Sequence, residues 1–448
     1  MRSLVWVATI VAPAFLLTAL FWPGILFNDS SARWMSALLF LEKIPPGVWK
    51  LDASFPPAMS LLMAAVYRVT ASVGAFTALQ ALVFFATLAM LVRALLGSDR
   101  RAFIGYGLVV LLPIVWTSSV FVSSDTWTAS GLNAALALLI APWPARRSRQ
   151  AMHVLGFFLA TWVLFGFRHN SLTVLPVILY LLVRIFRTER ARACVLGGSL
   201  LAALLLVAAT PSLFGFEKVD ITPVVFTWEY VGTLRVLNDP AVLAEHNLDF
   251  LGGSTALAVQ KHRWTTCDTL IWDSVFKTWV VVANGSEIRR RFWRLVRAHP
   301  TAWLRQKARV ALTLLGVAES PIEVQREIHT TPSFARPYGI SFEHPPDSAR
   351  FIVLAIINDL DESLAWALRP ALDLGLVMVL LAACGRRGVF PRHAGPLLAA
   401  AVFYYGGFLI AATGNHFRYY FPSFMLLLVL AVVALQQMKE APARAPQN

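Results

Sequence analysis

Long apolar runs recur along this chain, separated by short polar or basic breaks. A helix needs about 17–25 mostly apolar residues to cross the hydrocarbon core of a bilayer. The pattern predicts about ten such spans, near 4–22, 75–96, 102–121, 127–143, 151–166, 170–186, 193–211, 365–384, 395–412 and 419–436. The first run, Leu4 to about Trp22, follows only Arg2 and shows no small-residue cleavage pattern, so it reads as a retained first span. Two stretches interrupt the rhythm. In residues 23–74, Pro45-Pro46-Gly47 marks a turn between two helical patterns. Trp34, Leu38 and Leu41 recur at helical spacing behind the cap-like Asn28-Asp29-Ser30-Ser31, and Pro56-Pro57 opens a second helix over Ala58–Val69. A pair of helices lying in the membrane interface fits this stretch better than another crossing, which would invert every later loop. Residues 212–364 form a soluble insertion that holds two-thirds of the acidic residues.

The loops give the orientation. Arg93/Arg100/Arg101, Arg146/Arg147/Arg149, Arg184/Arg187/Arg190/Arg192 and Arg386/Arg387/Arg392 cluster in alternate loops, and the loops between them are nearly free of cations. Cations are retained on the cytoplasmic side. This predicts a multi-pass protein of the bacterial inner membrane with both termini in the cytoplasm and residues 23–74 and 212–364 outside. Three units follow: a membrane core over 1–211 with seven spans, the outer insertion 212–364, and three further spans with a polar tail over 365–448. Within the insertion, Arg290, Arg294 and Arg297 share one helical face opposite Phe292, Leu295 and Val296, which reads as an amphipathic interfacial helix. Residues 302–317 read as dipping into the membrane.

Composition agrees. The chain is 57% hydrophobic and 14% charged over 448 residues, which excludes an ordinary soluble protein of this length. The net charge of +14 is dispersed among the spans, so it points to anionic lipid rather than nucleic acid. Three scattered cysteines form neither a disulfide framework nor a metal cluster. No Walker loop, dinucleotide fingerprint, paired-cysteine zinc pattern or HExxH is present.

The candidate chemistry gathers at one face. Asp29, Asp125, Arg168-His169-Asn170 and Asn415-His416-Phe417-Arg418 each sit at the end of an apolar segment, all on the predicted outer side. Ionisable groups at such depth are costly unless paired or solvated, and so mark sites. Either aspartate also suits a helix N-cap. Arg168 and Arg418 carry the fork that grips a phosphate, with His416 beside the second. Asn28, Ser30, His169 and Asn170 are supporting candidates.

Pro23-Gly24, Asn28-Asp29-Ser30, Arg33-Trp34-Met35-Ser36-Ala37 and Phe55-Pro56-Pro57 resemble the first outer loop of GT-C-type bacterial membrane glycosyltransferases. These are relatives of protein O-mannosyltransferases and of the lipid A aminoarabinose transferase. Ser124-Asp125, Arg168-His169-Asn170 and Arg418-Tyr419 with Pro422 fall where such proteins carry further polar motifs. The resemblance covers 1–211 and 365–436. It implies an all-α GT-C-like bundle with interfacial helices in the first outer loop and a soluble outer insertion. It also implies inverting transfer of a sugar from a polyprenyl-phosphate donor to an envelope lipid, glycan or protein. Asp29 is the expected base, Asp125 the group that orients acceptor or base, and Arg168, Arg418 and His416 the phosphate ligands. The mannosyltransferase loop carries an acidic pair; here Asp29 has Asn28 and Ser30 as neighbours, so no metal ligand set is expected, and a divalent cofactor is left open. A transporter or lipid flippase, or a non-catalytic protein of the same fold, is the alternative.

Overall fold

The structure, a computed structural model, describes residues 2–26, 28–45, 47–271, 275–318, 335–340, parts of 352–363, 368–411 and 417–440. All regular structure among the described residues is helical, with two isolated β-bridges and no strand. In chain order come α1 (Arg2–Leu20), α2 (Asn28–Phe40), α3 (Ala58–Thr70), α4 (Val73–Leu96), α5 (Asp99–Val110) and α6 (Pro113–Val120). There follow α7 (Ser124–Ile140), α8 (Arg147–Phe167), a 3₁₀ turn His169–Val174 running into α9 (Leu175–Phe186), and α10 (Arg190–Leu213). The insertion holds α11 (Thr222–Leu237), α12 (Pro240–Glu245), α13 (Thr255–Lys261), α14 (Thr278–Ala283), α15 (Gly285–Ala298) and α16 (Pro300–Leu314). The chain closes with α17 (Pro370–Arg386), α18 (Ala394–Ala411) and α19 (Phe417–Glu440).

This is an all-α, multi-pass membrane protein. Among the described residues, five stretches are long and apolar enough to cross a bilayer by themselves: Val73–Leu96, Arg147–Phe167, His169–Phe186, Arg190–Leu213 and Phe417–Lys439. The expected third span is not one straight helix: α5 and α6 meet at a bend of 79°. Proline lacks an N–H and pushes the residue before it out of the helical region. Leu112, before Pro113, is accordingly extended at φ −77°, ψ 126°.

One helix sits inside the others. Every residue of α7 from Ser124 to Leu139 is buried. Gly131 makes that possible, because a Cβ there would stand 2.8 Å from the Ala160 carbonyl oxygen and the Leu164 amide of α8. Bare backbone at that crossing lets the two helices touch, as small residues do in membrane bundles. Two of its polar side chains find partners within it: Thr128 and Ser130 donate to the carbonyls of Ser124 and Thr126 at 2.7 and 2.9 Å.

In the insertion α11 is central. The apolar face of α15 (Ile288, Phe292, Leu295 and Val296) is buried, with the Phe292 ring 5.1 Å from Phe226 of α11. Protein rather than lipid thus covers the face read from sequence as interfacial. Helix α16 packs on α11 too and ends against the membrane bundle. The Tyr405 hydroxyl of α18 donates to the Leu314 carbonyl at 2.6 Å, and the Ala371 amide of α17 donates to the Leu315 carbonyl at 3.2 Å.

Candidate functional site

Four helix ends meet on one side of the bundle, and a short extended segment sets their spacing. The chain leaves α1 through a turn at Gly24, whose φ of +125° and 2.5 Å approach of a would-be Cβ to Thr77 exclude any larger residue. Ile25 then pairs with the stretch before α7: its amide donates to Val120 at 3.1 Å, and the Val122 amide donates to Ile25 at 2.9 Å. Ser30 ties α2 to the same stretch by donating to the Val122 carbonyl. From α4, the buried Gln80 side chain donates to Ser119 and Phe121 carbonyls at 3.0 and 2.7 Å and accepts from the Ser123 amide at 3.3 Å. The N-cap of α7 is Ser123, whose hydroxyl accepts from the Asp125 amide at 2.9 Å. Asp125 is therefore free of the capping task that its sequence position suggested.

Asp125 instead receives Arg168. The guanidinium at the end of α8 makes a two-point contact, Nε to Oδ1 at 2.8 Å and Nη2 to Oδ2 at 2.5 Å. A second pair lies beside it, Arg418 Nη1 to Asp29 Oδ2 at 2.9 Å. One tyrosine joins the pairs: the Arg168 and Arg418 guanidiniums stand 4.9 and 4.8 Å from the centre of the Tyr419 ring. The two aspartates differ in access. The Asp125 side chain is 2% exposed, whereas Asp29 is 31% exposed.

A third guanidinium, which sequence reasoning left without a role, completes the cluster. Arg33 lies one turn after Asp29 on α2 and is 3% exposed. Its described partners are neutral: the Pro56 carbonyl at 3.3 Å, the Ser124 hydroxyl at 3.4 Å and the Phe55 ring at 4.9 Å. Burial, and then the charge of Arg168, hold Arg33 down at about 10, against the opposing pull of Asp29 and Asp125. At Asp29 burial pushes the carboxyl up, but Arg418, Arg168 and Arg33 together outweigh it and leave it below the usual carboxylate range. Among the described residues, two carboxylates stand against three guanidiniums, a cationic surplus in a poorly hydrated place. Such a surplus attracts an anion.

The remaining sequence candidates fall around this core. His169 is exposed, within electrostatic range of Arg33 and Arg168, and Asn170 is half-buried in the 3₁₀ turn. His416 and the side chain of Asn28 lie outside the described residues. Like Arg33, Tyr419 carries no role of its own in the sequence, since a tyrosine at a span end reads as an ordinary interface aromatic. Tyr404 of α18 is fully buried, and its hydroxyl has no hydrogen-bond partner among the described residues.

No protein-family profile and no curated relative matches the chain. Its likeness is to solved structures. The chain is similar to ArnT. With ArnT from Cupriavidus metallidurans bound to undecaprenyl phosphate it shares 13% identity at a TM-score of 0.36, covering 97% of this chain and 77% of that one. With the apo state of ArnT the figures are 14%, 0.38, 98% and 78%. ArnT is the lipid A aminoarabinose transferase, of the GT-C type that the sequence motifs resemble. As to a divalent metal, no three His, Cys, Asp or Glu side chains converge among the described residues, and both site carboxylates face arginines. The arginines of this set offer hydrogen-bond donors to an anion.

Proposed function

We propose that this protein is a membrane glycosyltransferase that takes a sugar from a polyprenyl-phosphate donor and passes it to an acceptor on the outer face, with inversion. One observation carries this: three guanidiniums and two carboxylates are gathered where the start of α2 meets the ends of α7, α8 and α19. Arg168 and Arg418 leave their aspartates in part to hold the phosphate, and Tyr419 keeps both guanidiniums over one ring. Asp29, the more accessible carboxylate, removes the proton from the acceptor hydroxyl or amine. The acceptor atom then attacks the anomeric carbon from the face opposite the phosphate. The bond from that carbon to the phosphate oxygen breaks, and polyprenyl phosphate leaves with the electron pair, its charge met by the arginines. Asp125, sealed and two-point bonded, orients Arg168 and through it the donor.

Loading the donor changes the base. In the free protein Arg418 depresses the Asp29 carboxyl and makes it a weak proton acceptor. A bound phosphate competes for Arg418 and so raises the affinity of Asp29 for a proton when one has to be taken.

Transfer from a radiolabelled polyprenyl-phosphate sugar in proteoliposomes tests this. Asp29→Asn is expected to abolish transfer and retain donor binding, since it removes proton acceptance but keeps size and polarity. Arg168→Ala is expected to weaken donor binding by about 10- to 100-fold, the worth of a lost charge-assisted bond of about 1.5–3 kcal/mol. Full activity in Asp29→Asn removes the base assignment.

A further inference from the structure

The outward face of α16 has no role in the chemistry above, and its composition is unlike that of a water-facing helix. One stripe of the helix (Ala302, Gln306, Val310, Thr313 and Leu314) is buried. The opposite stripe is exposed and runs Leu304, Arg305, Ala308, Arg309, Leu312. Leu304 is 57% and Leu312 44% exposed, and Val317 just beyond the helix is 61% exposed. Leu304, Ala308 and Leu312 fall at i, i+4 and i+8, so they form a continuous band about 12 Å long rather than scattered leucines. The helix contains no acidic residue. Of its three cations, Lys307 turns inward to Glu229. Arg305 has no carboxylate partner among the described residues, and Arg309 lies over the Trp264 ring at 5.0 Å.

The location narrows what covers this band. The C-terminal end of α16 is bonded to the first turn of α17 and to α18, as described above, and the Arg369 guanidinium donates to the Gly316 carbonyl at 3.2 Å. The Tyr420 hydroxyl donates to Asp373 at 2.8 Å, so the start of α17 stands beside the start of α19, where Arg418 sits. The last turn of α16 is therefore at the bilayer boundary, on the same side as the arginine cluster.

We propose that α16 lies along the membrane surface with Leu304, Ala308 and Leu312 in the acyl boundary, while Arg305 and Arg309 hold the headgroups of anionic phospholipids. Leucines at this level are relieved of water, and long arginine stems reach back to phosphate level. This contact braces the insertion against the bilayer beside the site, and makes its position sensitive to lipid charge.

The test uses the full-length protein in nanodiscs of phosphatidylcholine alone or with an equal part of phosphatidylglycerol. Cys194, Cys267 and Cys384 are replaced, and a polarity-sensitive fluorophore is attached at Leu304→Cys or, separately, Leu312→Cys. Both positions are exposed, so the labelled chains are expected to fold and elute as the parent does. Lipids brominated near the headgroup are expected to quench both probes, and phosphatidylglycerol to strengthen the contact about fivefold per arginine. Arg305→Gln with Arg309→Gln is expected to remove that lipid dependence and leave the probes quenched. Probes reached by aqueous iodide but not by brominated lipid, in both discs, overturn the proposal. Equal quenching with and without phosphatidylglycerol overturns its headgroup part, and a blue shift that grows with protein concentration without lipid quenching assigns the band to a second copy instead.

Discussion

Asp29 and Asp125 each face an arginine, yet their surroundings separate their tasks. Asp125 is sealed and held at both oxygens by Arg168, a geometry that fixes orientation. Asp29 is bonded through one oxygen and partly open. The consequence for pH follows from the sign of its shift. Ionised Asp29 is the active form, so activity falls as acid carries the pH down through its pKa. In the free protein that pKa is depressed, burial being outweighed by Arg418, Arg168 and Arg33. Once phosphate draws on Arg418 the pKa rises. Profiles of kcat/KM, which report free enzyme, are therefore expected to hold their activity to lower pH than profiles of kcat, which report the loaded form. Coincident acid limbs contradict the competition for Arg418. Both aspartates and both paired arginines were legible in the sequence because charge at a span end is conspicuous. Arg33 was not: its meaning lies in being four residues from Asp29 on one helix face and in lacking a carboxylate partner among the described residues, and only packing shows the second.

At the scale of elements, hydropathy places helices but does not show how they touch. The edges of α4, α8, α10 and α19 follow the apolar runs closely, since the cost of unpaired backbone in lipid leaves a long apolar run little choice but helix. The bend between α5 and α6 keeps the same hydropathy on either side, and its one local sign is Pro113. Likewise, α15 has the pattern of a membrane-surface helix because a protein core and a lipid surface ask for the same apolar face. The complete burial of α7 places its polar N-terminus at the site, and Gly131 is the contact that permits it. Gly131→Ala is expected to push α7 from α8 and cost about 1–3 kcal/mol by overpacking. Because Asp125 and Arg168 ride on these two helices, donor binding should weaken with stability. Gly156→Ala, whose Cβ would meet only the Leu138 methyl at 3.4 Å, serves as the control expected to match the parent. Thermal unfolding in detergent and donor titration of both variants check this; equal behaviour of the two refutes the role of the α7–α8 crossing.

For the whole molecule, the alternation of basic and neutral loops predicts a site on the outer face and both termini inside. Impermeant thiol labelling on a cysteine-free background decides that orientation. A cysteine at Val48 is expected to react from outside and one at Arg147 only after permeabilisation; the reverse pattern refutes it. The account rests most heavily on where the donor's phosphate binds. The most direct measurement is a cryo-EM structure of the protein in nanodiscs loaded with polyprenyl phosphate. The account predicts the phosphate within hydrogen-bonding reach of Arg168 and Arg418, with the lipid tail descending between membrane helices and Asp29 loosened from Arg418. A phosphate bound elsewhere, with the Asp29–Arg418 and Asp125–Arg168 pairs unchanged, contradicts it.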